Sequence, residues 1–464
     1  MKACPHLRLV VVMVFVALTG CTDDRDAGAA GTPTEPPPSS AGVSPPLGPG
    51  PTVVTGPTVR VSEAGSDNGG DGSDALPFGT IQKAVDVARP GTTVLVAAGT
   101  YAGFRVTRDG VMVSAEPGAQ VSVRRGGADT IEFAGVRGGG IDGLDVSGSQ
   151  AQYGSAVKID RSSGVRVRRS RVHDARTFGI VVASSSDVTL EHNAVYRNAA
   201  GIEERYATDL AIRSNHIHDN LKEVDAGRGQ EGINFYKSTG RITIESNTLW
   251  NNDTHFEVYG ASNLEFRDNV THGGQVMETG TEDGLPCARN RFVRNVSYRG
   301  GREASGMILR CARDMLVAHN VLDGFDRFAF DIIDGTLGEP YGGSVEGLRI
   351  VDNIVVRGRA YSIDNVLPTS VLINHNLVWN RGSTAQLGEY VAFVAGHGNT
   401  KSMREFVRWT GYDRQGVSAD PRFVDHANHD YRLAERSPAI DRGSERLAEP
   451  FQGRAPDIGR YELR

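Results

Sequence analysis

The sequence has little cysteine, no excess of basic charge and no apolar run long enough to cross a membrane. Four cysteines occur in 464 residues, and Cys4 and Cys21 stand at the very start. The net charge is −6 with both signs interspersed, so nucleic acid is not an expected partner. The apolar run from Leu9 to Leu18 is too short for a transmembrane helix but has the length of a signal-peptide core.

The first residues predict export. Lys2 and Arg8 precede the apolar run, which ends in Leu18-Thr19-Gly20-Cys21. This ending resembles the lipobox of bacterial lipoproteins, in which the cysteine becomes the lipidated first residue of the mature chain. The resemblance implies a signal peptide over residues 1–20, lipidation of Cys21, and anchoring by lipid alone at the cell surface or in the periplasm. The alternative is an ordinary signal peptide with a chance cysteine.

Residues 21–57 have the composition of a tether. They are rich in Pro, Gly, Ala, Ser and Thr and include "PTEPPPSS" and "SPPLGPGP". Such a composition buries no core and predicts an extended linker. The folded part is therefore predicted to begin at about residue 58, to run to residue 464 as one elongated domain, and to be monomeric.

A repeat fills most of that domain. The segment Ile242-Thr-Ile244-Glu-Ser-Asn247-Thr-Leu249 serves as a template, with apolar residues at alternate positions around a turn that contains Asn. The pattern recurs at Val165/Val167/Ser170/Val172, Val188/Leu190/Asn193/Val195, Leu210/Ile212/Asn215/Ile217, Leu264/Phe266/Asn269, Phe292/Asn295, Met315/Val317/Asn320/Leu322, Leu348/Ile350/Asn353/Val355 and Val371/Ile373/Asn376/Val378. Units this short cannot bury an apolar face alone and must stack on one another.

The repeat predicts an all-β fold, a single parallel β-helix. Alternation with period two marks short strands with one buried face. A leucine-rich horseshoe would need a leucine pattern and helical segments that are missing, and a propeller would need longer repeats with hairpins. The recurring asparagines are predicted to form a buried ladder of amide hydrogen bonds rather than a catalytic set. The residues expected in this ladder are Asn193, Asn215, Asn247, Asn269, Asn320, Asn353 and Asn376.

Both ends of the domain resemble one superfamily. The stretch "DGSDALPFGTIQKAVDVARPGTTVLVAAGTY" (71–101) and the closing stretches "FVRWTGYDRQGVSADPRFVD" and "DYRLAERSPAIDRGS" resemble right-handed parallel β-helix proteins of the pectate-lyase-like superfamily. The resemblance implies a right-handed solenoid with a closing segment over about residues 395–464. Thr80 is predicted to cap a short helix whose apolar face covers the open end of the solenoid.

Each coil needs a third strand, and the resemblance implies that this strand forms the floor of a substrate groove. Alternation along these strands predicts two outer columns of side chains. The first column reads Val181, Glu203, Asn234, Glu257, Met277, Ile308 and Asp331. The second reads Ala183, Arg205, Tyr236, Tyr259, Thr279, Arg310 and Ile333.

The candidate site lies where these columns are richest in polar and aromatic residues. The predicted catalytic residues are Glu203, Arg205, Tyr236, Lys237 and Glu257. The predicted substrate-binding residues are Asn234, His255, Tyr259, Arg310, Asp331 and Trp250. Long insertions at 220–232 and 334–347 would border the same sheet as walls of a groove.

Trp250 belongs to a column of rings on the preceding strand of each coil: His173, Tyr196, His218, Trp250, His272 and Tyr298. Rings spaced at ~4.8 Å could stack on a chain of sugars, or they could stack on one another and shield the solenoid.

The register of two coils is ambiguous. The alignment points Glu204 and Glu278 inward, where a carboxylate is costly unless paired. A shift of one residue in the Gln275 coil would instead place Glu278 outside, beside Glu257. The two carboxylates would then form a pair able to bind calcium, the one cofactor that the sequence suggests.

Three functions are compatible with this face. The first is a lyase that cleaves a uronic-acid polysaccharide by β-elimination, with Arg205 or Arg310 neutralising the sugar carboxylate and Lys237 or Tyr236 as base. Family-nine pectate lyases, which the fold resembles, use a lysine base and an aspartate-rich calcium pocket. This sequence has the lysine but no matching aspartate cluster, which disfavours pectate and leaves other uronates open.

The second is an inverting glycoside hydrolase with Glu203 as base and Glu257 as acid, since two rungs separate them by ~9.6 Å. The third is a surface protein that binds glycans without turnover. For an exported chain, the remaining pair Cys287 and Cys311 predicts a disulfide between neighbouring turns.

Overall fold

In the computed structural model, residues 45–464 form one compact unit. The structure describes residues 56–124, 128–221, 230–300, 304–333, 342–365, 367–380, 390–444, 446–447 and 451–463. The predicted signal peptide, Cys21 and nearly all of the predicted tether lie outside the described residues, so lipid anchoring and export stay predictions. Among the described residues, no helix is long and apolar enough to cross a membrane.

The chain forms a β-solenoid in which each coil contributes one strand to each of three sheets, as the repeat predicts. Sheet 1 consists of Thr58–Val61, Thr93–Val96, Met112–Ala115, Gly140–Asp142, Arg166–Arg168, Ser186–Glu191, Thr208–Arg213, Ile242–Glu245, Leu264–Arg267, Arg291–Val293, Leu316–Ala318, Arg349–Val351 and Leu372–Asn374. Sheet 2 consists of Gly99–Ala102, Val121–Arg124, Leu144–Ser147, Arg171–His173, Ala194–Tyr196, His216–His218, Thr248–Trp250, Val270–His272, Val296–Tyr298, Val321–Asp323, Ile354–Val356 and Leu377–Trp379. Sheet 3 consists of Phe104–Val106, Ile131–Ala134, Ser155–Asp160, Phe178–Ala183, Ala200–Arg205, Glu231–Tyr236, Thr254–Tyr259, Gln275–Gly280, Met307–Leu309, Phe330–Ile332, Tyr361–Ile363, Ala392–Val394 and Gly398–Thr400.

Strands within the three sheets pair in parallel, except for the last pair of sheet 3, Ala392–Val394 and Gly398–Thr400, which is antiparallel. One inner column of sheet 3 shows how the core is filled: Ile202 pairs in register with Ile233, and Ile233 with Phe256. All three are fully buried, as are Ile242 and Ile244 of sheet 1. The alternation that predicted strands therefore also identified the side that faces the core.

A short helix, Ile81–Val87, closes the first coils as predicted. The side chain of Thr80 accepts a hydrogen bond from the backbone N–H of Lys83 at the helix start. Ile81, Ala84 and Val85 are buried against the solenoid. The helix thus covers apolar surface that the first coils would otherwise expose.

The asparagine ladder is confirmed and runs through the turn between sheets 1 and 2. In each step the backbone N–H and the side-chain amide of one Asn both donate to Oδ1 of the next, as between Asn247 and Asn269 at 3.0 Å each. Its members are Asn193, Asn215, Asn247, Asn269, Asn295, Asn320, Asn353 and Asn376. Asp413 ends the ladder by accepting from the backbone N–H of Asn376 at 3.0 Å.

A second, shorter ladder of Asn198, Asn220 and Asn252 occupies the turn between sheets 2 and 3. The sequence pattern did not single it out, because only three coils carry it. It ends at His255, whose Nδ1 lies 3.2 Å from Nδ2 of Asn252.

The aromatic column on sheet 2 is a stack of rings. Centroids of successive rings from His173 to Tyr298 lie 4.0 to 6.0 Å apart with nearly parallel planes, and His429 of the closing segment continues the stack at 4.1 Å from Tyr298. Ring faces therefore meet other rings. His218 and His272 cover the two faces of Trp250, which favours the alternative that the rings stack on one another, and sugar binding by Trp250 stays a prediction.

The C-terminal segment packs along the last coils. It contains the helix Met403–Thr410, the 3₁₀ helix His426–Asn428 and a hairpin of Phe423–Asp425 with Asp430–Leu433. Buried residues of this segment cover the otherwise bare outer side of the last sheet 2 strands: Tyr431, Leu433, Ala439 and Ile458. The predicted closing segment thus completes a second apolar core outside the solenoid.

The predicted disulfide is wrong. Cys287 and Cys311 are both free and buried. Their turns do lie on neighbouring coils, but the backbone N–H of Cys287 donates to Sγ of Cys311 at 2.9 Å, and the Cys287 thiol donates to the carbonyl of Gly280 at 2.9 Å. Hydrogen bonds of this kind satisfy both thiols without an S–S bond.

Candidate functional site

The candidate face is the outer side of four adjacent sheet 3 strands, Ala200–Arg205, Glu231–Tyr236, Thr254–Tyr259 and Gln275–Gly280. Their pairing fixes the first outer column, in which Glu203 pairs with Asn234, Asn234 with Glu257, and Glu257 with Glu278. The column continues through Ile308 to Asp331.

The pairing decides the register question in the Gln275 coil. Met277 and Thr279 are buried and face inward, so their prediction as outer residues is wrong. Val276 takes the corner position held by Gly232 two coils earlier, which shifts the coil by one residue. Glu278 consequently lies outside, one rung from Glu257, as the alternative register predicted.

Carboxyl groups gather around Glu257. Four others act on it electrostatically: Glu203, Glu231, Asp253 and Glu278. Burial first, and the charges of these four groups second, raise the pKa of Glu257 well above its ordinary value. Glu257 still keeps part of its surface open to solvent. A carboxyl whose pKa is raised in this way keeps its proton to higher pH than an ordinary glutamate and can donate it.

Glu203, in contrast to Glu257, lies beside a cation. Nε of Arg205 lies 2.6 Å from Oε1 of Glu203, and the guanidinium carbon stands 5.5 Å from the ring centre of Phe178. The adjacent cation stabilises the ionised form of Glu203. Only 4% of the Glu203 side chain is exposed, which limits its access to a substrate.

Tyr236 and Lys237 are tied to the turn that follows the Gln275–Gly280 strand. The hydroxyl of Tyr236 donates to Oε1 of Glu282 at 2.7 Å, and the ammonium of Lys237 forms an ion pair with Asp283. The same ammonium lies 4.6 Å from the ring centre of Tyr236. The ion pair with Asp283 raises the pKa of Lys237 above its ordinary value, and burial together with Glu282 raises that of Tyr236. Neither group is set up to accept a proton at neutral pH.

Three of the predicted binding residues, Asn234, Tyr259 and Arg310, contact or line the candidate face. Tyr259 pairs with Tyr236 in the second outer column, and Asn234 stands between Glu203 and Glu257 with its buried Oδ1 in no hydrogen bond. Arg310 forms an ion pair with Glu278, whose other oxygen accepts from Nε2 of Gln275 at 3.3 Å.

Asp331 lies two rungs beyond Glu278 in the first outer column and is buried, and burial raises the pKa of its carboxyl. It therefore extends the candidate face but does not join the carboxyl groups around Glu257.

His255 is not available to a substrate, so its prediction as a binding residue is wrong. Its side chain is fully buried at the corner where the preceding coil has Gly232. A Cβ added at Gly232 would lie 3.0 Å from Leu249 and 3.2 Å from Asn252, which places this corner inside the solenoid. Burial lowers the pKa of His255 to about 3, so the ring is neutral.

Sequence reasoning missed Glu231, Asp253, Glu282 and Asp283. Each lies at a strand end or in a turn, outside the alternating columns from which the site was read. A signal was present, because three of the missed carboxyls lie within two residues of a sheet 3 strand end. The predicted groove walls at 220–232 and 334–347 lie largely outside the described residues.

The described part of the chain contains no preformed calcium site. Within the described ranges, no group of three or more His, Cys, Asp and Glu has a metal-binding arrangement. The pair Glu257 and Glu278 exists, but Glu278 already pairs with Arg310. Calcium therefore stays a prediction to be tested with a chelator.

Comparison with known proteins supports the fold. A family described as "Right handed beta helix region" matches residues 119–271. The fold is similar to "Crystal structure of pectate lyase Pel9A", with a TM-score of 0.55 at 15% identity over 88% of this chain and 97% of that one. It is similar to "The complex structure of XylC with xylose", with a TM-score of 0.51 at 11% identity over 73% and 86%.

The fold is also similar to the catalytic unit of the GH87 α-1,3-glucanase from Streptomyces thermodiastaticus strain HF3-3, with a TM-score of 0.51 at 14% identity over 80% and 70%. None of the curated proteins matches the chain in sequence. Identities this low describe a shared architecture, and the function must be argued from the site.

Proposed function

We propose that this right-handed β-helix protein hydrolyses a glycan bound along the candidate face, with Glu257 as the general acid. The observation that carries the proposal is the setting of Glu257, a partly exposed carboxyl whose pKa is raised by burial and by four neighbouring carboxylates. Glycoside hydrolysis requires one protonated and one ionised carboxyl on either side of the scissile bond. A difference in environment between the two carboxyls is what assigns these roles.

Glu278 is the better candidate for the ionised partner. It lies one rung from Glu257, ~4.8 Å along the sheet, whereas Glu203 lies two rungs away. Of the Glu278 side chain 20% is exposed, against 4% for Glu203, and Arg310 stabilises its charge. Carboxyls separated by ~5–5.5 Å suit a retaining mechanism, and those separated by ~6.5–9.5 Å suit an inverting one. We therefore expect retention, with inversion through Glu203 as the alternative.

The lyase hypothesis is less well supported by the geometry. Its base would be Lys237 or Tyr236, and the hydrogen bonds and ion pair of both groups favour their protonated forms. The carboxyl groups around Glu257 would also repel the carboxylates of a polyuronate. A neutral glycan fits this charge better. Polysaccharide cleavage is named for the pectate lyase and the α-1,3-glucanase that share the architecture.

The test is a panel of neutral glycans, alginate, pectate and glycosaminoglycans, with and without chelator. We expect new reducing ends without ultraviolet-absorbing unsaturated products, and retained anomeric configuration by NMR. Glu257→Gln should lower kcat by about 10²–10⁴-fold, while Lys237→Ala should keep most turnover.

Glu132→Gln is the matched control, because Glu132 lies in the same outer column but pairs with Arg105 far from the site. Unsaturated products that depend on Lys237 would overturn the hydrolase in favour of the lyase. Binding of a glycan with no turnover of any polymer would leave only a binding protein.

A further inference from the structure

Glu204 is a carboxyl inside the solenoid that the proposed chemistry does not use. It lies on the strand Ala200–Arg205, points away from the candidate face and is fully buried. Its neighbours in the inner column on the adjacent coils are Val182 and Phe235, which are apolar. A carboxyl among such neighbours is costly unless its oxygens are satisfied.

Glu204 is satisfied by two turns. Its Oε1 accepts from the backbone N–H of Ala207 at 2.6 Å, and its Oε2 shares a hydrogen bond with the hydroxyl of Ser238. Ala207 and Ser238 are each the second residue after a sheet 3 strand, on adjacent coils.

Other coils use serine at this position. The hydroxyl of Ser162 accepts from the backbone N–H of Val136 at 3.1 Å, and that of Ser185 accepts from the backbone N–H of Ser162 at 3.0 Å. In the next coil Ala207 has no hydroxyl. Glu204 inserts its carboxyl between the backbone N–H of Ala207 and the hydroxyl of Ser238, and so accepts the N–H that a serine of the next coil accepts elsewhere.

The two turns carry groups of the candidate face. Lys237 stands immediately before Ser238 in the chain and Arg205 stands two residues before Ala207, and the residues at the bend, Tyr206 and Lys237, have φ of 58°. A left-handed backbone at a residue other than glycine is unfavourable and persists where neighbouring contacts hold it.

We propose that Glu204 is a positioning residue: its buried carboxyl holds the two turns that place Arg205 and Lys237, and through Arg205 it sets the position of Glu203, two rungs from Glu257. The catalytic consequence rests on the proposed function, whereas the effect on the turns does not. Glu203, on the opposite side of the same strand, is the one charged group that bears on Glu204 electrostatically among the described residues.

A neutral carboxyl fits this arrangement. Its Oε1 accepts from the backbone N–H of Ala207 and its Oε2 accepts from the Ser238 hydroxyl, so that both carboxyl oxygens are hydrogen-bonded. Burial raises the pKa of Glu204 to about 8. Above that pH Glu204 would carry a negative charge inside the solenoid and face the negative charge of Glu203.

The experiment measures backbone hydrogen exchange in the full chain for wild type, Glu204→Gln, Glu204→Leu and the control Val182→Ala. Glutamine keeps one donor and one acceptor and never charges, so both turns should keep wild-type protection. Leucine should speed exchange at 206–208 and 237–239 by about tenfold or more, because two buried hydrogen bonds are lost. Val182→Ala changes the same inner column but no turn hydrogen bond, and should leave both turns protected.

Two further readouts separate positioning from simple packing. After correction for intrinsic exchange, protection of the two turns in wild type should fall between pH 7 and pH 9.5, and in Glu204→Gln it should not. On a glycan that is cleaved with inversion, for which Glu203 is the base, Glu204→Leu should lower kcat more than it changes KM, and Glu204→Gln should keep the wild-type kcat. Wild-type protection in Glu204→Leu, or an unchanged pH dependence in Glu204→Gln, would overturn the proposal. Absence of any turnover would remove the proposed function but leave the exchange result decisive.

Discussion

At the scale of single residues, Glu203 and Glu257 show that two carboxyls of the same outer column can differ in protonation because their neighbours differ. Both face outward, two rungs apart. Arg205 holds Glu203 as an ion, whereas Glu257 is surrounded by carboxyl groups and has a raised pKa. The surroundings that raise the pKa of Glu257 lower the stability of the fold, as is common where a group is tuned for proton transfer.

Glu257 should therefore make the fold less stable as pH rises. Its folded pKa lies above its unfolded value, so the native state keeps a proton that the unfolded chain releases, and stability falls as pH increases from the unfolded value towards the folded one. The loss approaches about 1.4 kcal/mol for each unit of difference. Urea unfolding from pH 4 to pH 9 should show Glu257→Gln matching wild type at acid pH and exceeding it at alkaline pH. Equal curves at every pH would show that Glu257 is not destabilised by its surroundings.

At the scale of elements, the ladders hold the solenoid together across coils. Oδ1 of Asn269 accepts both the backbone N–H and the side-chain amide of Asn247, and its own amide donates to Ile244 and Asn295. Eight successive coils, from Asn193 to Asn376, repeat these contacts at the same position, so that a turn of one coil is satisfied by the next. The rings stacked on sheet 2 connect neighbouring coils in the same nearest-neighbour way.

Asn269→Ala should destabilise the solenoid strongly. It leaves the buried N–H of Asn247 without an acceptor, and each unsatisfied buried group costs about 1–3 kcal/mol. Asn399→Ala is a suitable control, because Asn399 is exposed and should change stability by less than about 0.5 kcal/mol. Chemical denaturation measures both. A loss in Asn269→Ala as small as that of the control would refute a stabilising ladder.

At the scale of the whole molecule, one buried carboxylate fastens the closing segment to the last coils. Asp323 of sheet 2 is fully buried and accepts from Nε of Arg357 at 2.6 Å, lies 2.8 Å from Nε2 of His426, and accepts from the hydroxyl of Tyr431 at 2.7 Å. Backbone contacts of Gly459 and Ser444 with Asp352 add a second attachment. The segment thereby covers the apolar outer sides of the final strands.

Removing Asp323 should loosen that segment. Asp323→Ala leaves Arg357 and Tyr431 without their buried acceptor, and an unsatisfied buried group such as the Tyr431 hydroxyl costs about 1–3 kcal/mol. Limited proteolysis should then cut within 412–463 much faster than in wild type. Asp430→Ala removes a carboxylate of the same hairpin whose partner Arg432 is exposed, and should leave the cutting rate unchanged. Equal resistance of both variants would place the attachment elsewhere.

The sequence by itself determined the solenoid, the inner and outer positions of most strands, the capping helix and the asparagine ladder. These follow from local alternation and from a repeat whose units touch only their neighbours, so the pattern in one coil carries over to the next. Tertiary structure alone decided whether Glu278 stands beside Glu257, because two adjacent apolar residues, Val276 and Met277, fit either register. It also decided that Lys237 forms an ion pair with Asp283 and that Cys287 and Cys311 remain thiols. Those outcomes depend on turns of unequal length, whose paths no periodic pattern encodes.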